Sequence, residues 1–397
     1  MASTGFGQLL LSPQAVRFDS PPPLSLYIHI PWCVRKCPYC DFNSHEAKSG
    51  VPEAEYVAAL VKDIESALPL VWGRKVVSVF FGGGTPSLLS GRAVDDILVA
   101  VRTLLPLEPH AEITLEANPG TAEAQKFAEF RAAGVNRLSI GIQSFNAKHL
   151  QALGRIHDDS EARRAIEMAQ RHFDNINLDL MYALPEQNMQ EAQADIRAAI
   201  AFAPQHISAY HLTLEPNTLF HRHPPKLPDD DMAADMQVMV ETELASAGYQ
   251  HYETSAFAQK GKRCQHNLNY WLFGDYLGIG AGAHGKLSMH DRVIRQMRHK
   301  QPKAYLEQVQ CGETIQDQHD VAIADLGFEF MMNALRLTEG FPSALFNERT
   351  SLPLTVISRE LEQAEQRGLV ERDHVQVRPT EQGRRFLNEL LQVFLPA

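Results

Sequence analysis

Three cysteines fall within eight residues, Cys33-Val34-Arg35-Lys36-Cys37-Pro38-Tyr39-Cys40, as a C-x3-C-x2-C run. The chain has five cysteines in all, which is poor disulfide arithmetic and good metal arithmetic for a reducing compartment. A zinc ion would want a fourth ligand, and His29 or His45 is the nearest. Three thiolates alone suit a [4Fe–4S] cluster in which one iron has no protein ligand. Such an iron can chelate the amine and carboxylate of S-adenosylmethionine (SAM) and pass an electron into its sulfonium bond, leaving the protein to position the cofactor. A second feature, Gly82-Gly83-Gly84-Thr85-Pro86, is backbone without Cβ atoms that can approach a ligand and present N–H groups.

These groups need elements to hold them. After Pro21-Pro22-Pro23 come six β-rich runs: Leu26–Ile30, Val76–Phe81, Glu112–Ala117, Arg137–Ile142, Ile176–Met181 and Ile207–Leu214. Several alternate in polarity, as two-faced strands do. Helical patterns fill the gaps, with Tyr56, Leu60, Ile64 and Leu68 forming one apolar stripe. Others lie near Val94–Leu105, Glu123–Ala133, Ser160–Arg171 and Gln190–Phe202. Strand–helix alternation calls for parallel strands with reactive groups at their C-terminal ends. The fold class expected is therefore α/β, a partial (β/α)6 barrel over 21–230 preceded by a loose N-terminal extension, 1–20. An α/β extension, 231–320, would cover its open side. It holds a helix from Asp229 to about Ala247, a strand Tyr249–Phe257 and a Gly-rich loop Gly274–Gly285. Residues 321–397 read as a small helical, winged-helix-like unit.

Composition narrows the function. A net charge of −11 opposes nonspecific binding to phosphate backbones. In residues 321–397, eleven acidic side chains outnumber eight basic ones, the wrong sign for a nucleic-acid-binding winged helix. No run approaches the roughly 20 apolar residues that span a bilayer. The first twenty residues lack a secretory or transit pattern, so a cytoplasmic protein is expected.

The triad and the Gly-Gly-Gly-Thr-Pro loop together resemble the radical SAM superfamily. Tyr27-Ile28-His29-Ile30-Pro31-Trp32-Cys33, Glu116-Ala117-Asn118-Pro119, Ser139-Ile140-Gly141-Ile142-Gln143-Ser144-Phe145 and Asn177-Leu178-Asp179-Leu180-Met181 are similar to its HemN/HemW branch. The resemblance runs from about Leu24 into the C-terminal unit. It implies cluster ligation by Cys33, Cys37 and Cys40. It also implies SAM contacts at Tyr27, Tyr39, Gly83, Gly84, Thr85 and Glu116. Gln143, Arg155 and Asp179 match positions that bind a second SAM in the branch's dehydrogenases. Those dehydrogenases carry a further cysteine two positions after the triad, where this chain has Phe42. HemW-type members carry an H-N-x-x-Y-W motif, here His266-Asn267-Leu268-Asn269-Tyr270-Trp271, followed by Gly278-Ile279-Gly280-Ala281-Gly282-Ala283-His284.

An imidazole can ligate haem iron, and a Tyr/Trp pair can pack on a flat macrocycle. His266 is thus one candidate haem ligand and Cys264 a second; the alternative is a structural turn with both aromatics in the core. His284 is expected at the barrel mouth. The resemblance implies a haem chaperone that carries haem as cargo to haem-requiring proteins, including membrane-associated respiratory enzymes. Transient membrane association and a homodimer go with that reading. Its alternative is an oxygen-independent coproporphyrinogen III dehydrogenase, which decarboxylates propionate side chains by radical chemistry. Phe42 in place of cysteine speaks against the alternative.

Overall fold

In the computed structural model, which describes residues 15–48 and 50–396, strand β1 (Leu24–Ile30) lies inside the main sheet rather than at its edge. The short strands β2 (Trp32–Cys33) and β3 (His45–Glu46) pair with each other beyond its end. Next come β4 (Val76–Gly83), β5 (Leu107–Ala117), β6 (Arg137–Gln143), β7 (Ile176–Tyr182) and β8 (His206–His211). β1 and β4 to β8 run parallel, the six strands of the expected partial barrel.

Later sequence extends this sheet at both edges. A hairpin of β9 (Gln250–Glu253) and β10 (Ala256–Ala258) adds antiparallel to β8. β11 (Asp275–Ile279) adds parallel to β1, followed by antiparallel β12 (His284–Ser288), β13 (Val293–Arg298) and β14 (Ile315–Asp320). One twelve-stranded sheet results, in the order β14-β13-β12-β11-β1-β4-β5-β6-β7-β8-β10-β9. The sheet therefore runs through residue 230 without a break. Two expectations are corrected here. The Tyr249–Phe257 run is two strands folded on each other, and the Gly-rich stretch 274–285 is mostly strand. Its glycines permit close pairing: a Cβ on Gly278 would stand 1.9 Å from the His284 carbonyl oxygen.

The connecting helices are α1 (Glu53–Val71), α2 (Gly91–Leu104), α3 (Thr121–Ala124), α4 (Phe127–Ala133), α5 (Ala147–Ala152), α6 (Asp159–Gln170) and α7 (Met189–Ala201). The expected Glu123–Ala133 helix is broken into α3 and α4. α6 and α7 start in capping boxes, Asp158 with Glu161 and Asn188 with Glu191, which satisfy N–H groups that a helix end leaves unpaired. After β8 come α8 (Leu219–Arg222), α9 (Asp230–Ser246), α10 (Gln265–Trp271) and α11 (Pro302–Gln310).

Alternation along the strands separates two environments. Leu24, Leu26, Ile28 and Ile30 of β1 share one buried apolar core with Val79 and Phe81 of β4 and with Tyr56, Leu60 and Ile64 of α1. Burying one such side chain is worth about 1.5–3 kcal/mol. The other face is polar. Register sets Ser25 beside Ser78 and Glu112, Thr114 beside Arg137, Ser139 beside Asn177, and Asn177 beside His206. Parallel strands covered on both faces usually read as continuous apolar runs. These alternate because their second face lines the interior of the partial barrel.

A second core gathers residues from Leu326 to Phe394 with Phe273 and Val293, beside a small sheet of Phe341–Pro342, Gln376–Pro379 and Val370–Arg372. Val16 and Phe18 are buried in it. Arg17 exchanges two hydrogen bonds with Ser351, and the Phe18 N–H donates to the His290 carbonyl. The loose extension expected over 1–20 is thus tied down at residues 16–18; its first fourteen residues lie outside the described ones.

Candidate functional site

Cys33 ends β2, and the segment from Val34 to Ser44 loops out from the C-terminal end of β1. Lys36 closes that loop by donating to the carbonyls of Phe42 and Ser44, and Cys40 N–H donates to the Cys37 carbonyl. Asn43 donates to the carbonyls of Ala281 and Lys300, fixing the loop to the turn between β11 and β12. On the barrel side His29 holds it. Nε2–H donates to the Asn43 carbonyl, and Nδ1 accepts from the Tyr27 hydroxyl at 2.8 Å. Tyr39 packs near Phe220 of α8, whose N–H donates to the Pro38 carbonyl.

All three thiols are half-buried. Burial pushes the Cys33 thiol up, and a hydrogen bond with Thr85 holds it down. Among the described residues, the one trio of potential ligands whose atoms lie within 4.8 Å of one another is Glu112, Cys264 and His266. The three loop thiols are therefore spread wider than the edge of about 3.8 Å that a single tetrahedral zinc ion requires.

The Gly-Gly-Gly-Thr-Pro loop lies against the cysteine loop, and for a different reason than expected. Gly84 N–H donates to the Ile30 carbonyl and Thr85 N–H to the Trp32 carbonyl. Gly83 N–H is engaged by the Glu116 carboxyl group. The Gly84 and Thr85 donors are thus used within the protein. Gly83 has φ +114°, and a Cβ there would meet the His29 ring at 2.6 Å. These glycines let two loops touch.

Polar groups converge at the mouth. Burial, then the charge of Asp179, pushes the Glu116 carboxyl up to about 8. Asp179, also raised by burial, accepts from Ser139 and Asn177. Arg155 donates to the Asn118 side chain at 2.8 Å and the Gly141 carbonyl at 2.7 Å, and Nη1 lies 3.9 Å from the Cys37 sulfur. Its Nε is buried without a hydrogen-bond partner, as a cation awaiting an anionic group would be. Gln143 ends β6 with φ +66°, beside the Gly141 position.

The H-N-x-x-Y-W segment forms α10, packed against β4, β1 and β11. His266 stacks on Phe80 at 4.1 Å, with Tyr270 edge-on behind it. Nδ1–H donates to Glu112 Oε1, 3.1 Å away, and the Cys264 sulfur is 3.2 Å from the same nitrogen. Glu112 Oε1 also accepts the N–H groups of Gln265 and His266 at the start of α10. Burial would raise Glu112, but the His266 bond and the Arg137 charge hold it at about 2. Burial lowers His266, so this is a neutral imidazole on an ionised carboxylate. The two candidate haem ligands, His266 and Cys264, are both buried in this network with Glu112.

What the segment does face is a cavity of about 460 Å3. Tyr27, Gly83 and Glu116 line it together with Tyr270, Trp271 and Arg295. Phe42 and His284 sit at its margin, and neither His266 nor Cys264 lines it. Glu112 and Arg137, both missed from sequence, are legible afterwards as charged residues on the polar face, in the middle of β5 and at the start of β6.

Comparison with known proteins places this geometry. Residues 27–199 match the radical SAM superfamily and residues 323–386 the HemN C-terminal domain. The chain is 50% identical over 378 residues to heme chaperone HemW of Escherichia coli, covering 94% of this chain and 98% of that one. It is 48% identical over 380 residues to heme chaperone HemW of Haemophilus influenzae, with 94% and 98% covered. Among solved structures, coproporphyrinogen III oxidase (HemN) from Escherichia coli superposes with a TM-score of 0.81 at 23% identity, covering 94% of this chain and 90% of that one, which shows the shared fold.

Proposed function

The chain belongs to the HemW family of radical SAM proteins, and from that premise we propose that it binds haem and hands it to haem-requiring proteins. One observation carries the reading. A single cavity joins the mouth, where Gly83 and Glu116 stand, to the aromatic pair Tyr270 and Trp271 of the H-N-x-x-Y-W segment. A cofactor and a flat aromatic cargo would then share one chamber.

In this reading Cys33, Cys37 and Cys40 hold a [4Fe–4S] cluster, and Arg155, whose Nη1 lies beside Cys37 and whose Nε has no hydrogen-bond partner, faces an anionic group of SAM. Tyr39 packs beside the cofactor, Tyr27 and Thr85 set the wall, and Gly83 and Gly84 leave it room. Glu116, Gln143 and Asp179 supply polar partners. When bound, the pair provides a reducing electron at the SAM sulfonium. The protein's own residues orient it and keep Glu116 protonated near neutral pH. Acceptors of the haem, among them membrane-associated respiratory enzymes, and a homodimer belong to the same proposal. No helix of the described residues is long and apolar enough to cross a membrane.

Anaerobic titration of cluster-reconstituted protein with haem, followed through the haem absorption band, tests this. Saturable one-to-one binding is expected, and absence of binding refutes it. The polar chamber of Glu116, Gln143, Arg155 and Asp179 favours a second reading, coproporphyrinogen III dehydrogenase. Product analysis after incubation with coproporphyrinogen, SAM and a reductant separates the two: unchanged substrate is expected, and decarboxylated product would replace the chaperone reading.

A further inference from the structure

The cavity of about 460 Å3 falls inside the roughly 300–1,000 Å3 typical of small-molecule sites. Its lining combines flat apolar surfaces, Phe42, Phe80, Tyr270 and Trp271, with nitrogen-bearing side chains, among them the His284 imidazole and the Arg295 guanidinium. We propose that this cavity is the haem site, with iron on His284, the macrocycle against Phe42 and Trp271, and a propionate on Arg295. The inference rests on the chaperone reading and deepens it by assigning the cargo a place and an iron ligand.

Four histidine and cysteine candidates are distinguished by their surroundings. His266 and Cys264 lie behind Phe80 with Glu112, outside the cavity lining. His29 lines the cavity, but both of its nitrogens are engaged, by the Tyr27 hydroxyl and the Asn43 carbonyl. His284 lines it, is exposed, and makes no hydrogen bond from its ring among the described residues. It is therefore free to ligate iron as a neutral imidazole. The loop that carries it is rigid. Gly280 N–H donates to Asp63, Ala281 N–H donates to the Tyr56 hydroxyl, and the Ala281 carbonyl accepts from Asn43.

Register sets the second contact. His284 and Lys286 lie two apart on β12, and Arg295 of β13 pairs opposite Lys286. His284 and Arg295 are thus diagonal neighbours, with Cβ atoms about 7–8 Å apart, a span comparable to that from the centre of a tetrapyrrole to a propionate. Lys286 itself is committed to Asp275 and the Phe273 carbonyl. Arg295 donates one N–H each to Tyr276 and Glu329, which leaves guanidinium donors for a carboxylate. Phe42, 59% exposed, lines the cavity and offers a flat apolar face to a macrocycle.

The test titrates cluster-reconstituted full-length protein with haem and, separately, with iron-free protoporphyrin IX, for wild type, His284→Ala, Phe42→Ser and His266→Ala. His284 and Phe42 are exposed, so their variants are expected to fold. Expected is a loss of about tenfold in haem affinity for His284→Ala with a shifted absorption band and protoporphyrin binding unchanged. Phe42→Ser should weaken both porphyrins alike. If His284→Ala binds haem as wild type does while His266→Ala loses the iron-ligand band, the ligand assignment is overturned. If both exposed variants bind like wild type, the cavity assignment is overturned. Failure of wild type itself to bind haem refutes instead the chaperone reading on which the inference rests.

Discussion

Glu116→Gln is the sharpest perturbation of the mouth. In the folded protein burial and the Asp179 charge raise this carboxyl from 4.5 to about 8. Between those values the folded chain keeps a proton that the unfolded chain releases, so unfolding is favoured increasingly as pH rises. A shift of that size is on the order of 5 kcal/mol at 1.36 kcal/mol per unit, fully expressed above the folded value and absent below the unfolded one. Glutamine keeps an acceptor for the Gly83 N–H and cannot ionise. Urea unfolding of cofactor-free wild type and Glu116→Gln at pH 4, 6 and 8.5 should therefore show near-equal stabilities at the acid end and a variant several kcal/mol more stable at the alkaline end. Parallel stability curves for the two proteins would refute the assignment of a protonated, desolvated Glu116. A cationic group bound beside it would pull the carboxyl back down, so the difference should shrink when SAM is present.

Asp63→Asn leaves Arg298, 1% exposed at its side chain and 2.9 Å from Asp63, without its counter-charge, and should cost about 3–5 kcal/mol in urea unfolding. Gly83→Ala forces a Cβ onto the His29 ring at a φ of +114°, and should lower stability by about 2 kcal/mol or more. Replacing Cys33, Cys37 and Cys40 by serine should abolish bound iron and sulfide on analysis while leaving the circular dichroism spectrum unchanged, since none of the three is fully buried. His266→Ala should cost about 3 kcal/mol from a lost bond to a charged carboxylate and a vacated stacking site, yet leave haem affinity within about twofold.

The strands were legible because their faces differ: Leu138, Ile140 and Ile142 meet helices while Arg137, Ser139 and Gly141 face the interior. The cysteine triad was legible from spacing alone, and the placement of the Gly-rich loop beside it followed from both ending neighbouring parallel strands. What it does there was not. Its glycines answer to His29 and Trp32, contacts made more than fifty residues away in sequence. β11 was hidden because a strand slotted beside β1 at close quarters needs glycine, which reads as loop. The chemistry of His266 was hidden for a similar reason. Its partner Glu112 lies 154 residues earlier, and no local pattern couples them.

The burial of Val16 and Phe18 among residues from Leu326 to Phe394 sets an order of events in biosynthesis. Val16 and Phe18 leave the ribosome long before the residues they pack against. β1 and β4 to β8 can pair as they emerge, but β11 must insert beside β1 only after residue 279 is made. The second core can close only after Phe394 has been made. A chain cut short before Phe394 therefore carries an assembled sheet with an exposed apolar face at its margin. Quality-control proteases and chaperones can recognise that surface until the residues up to Phe394 have been made and packed.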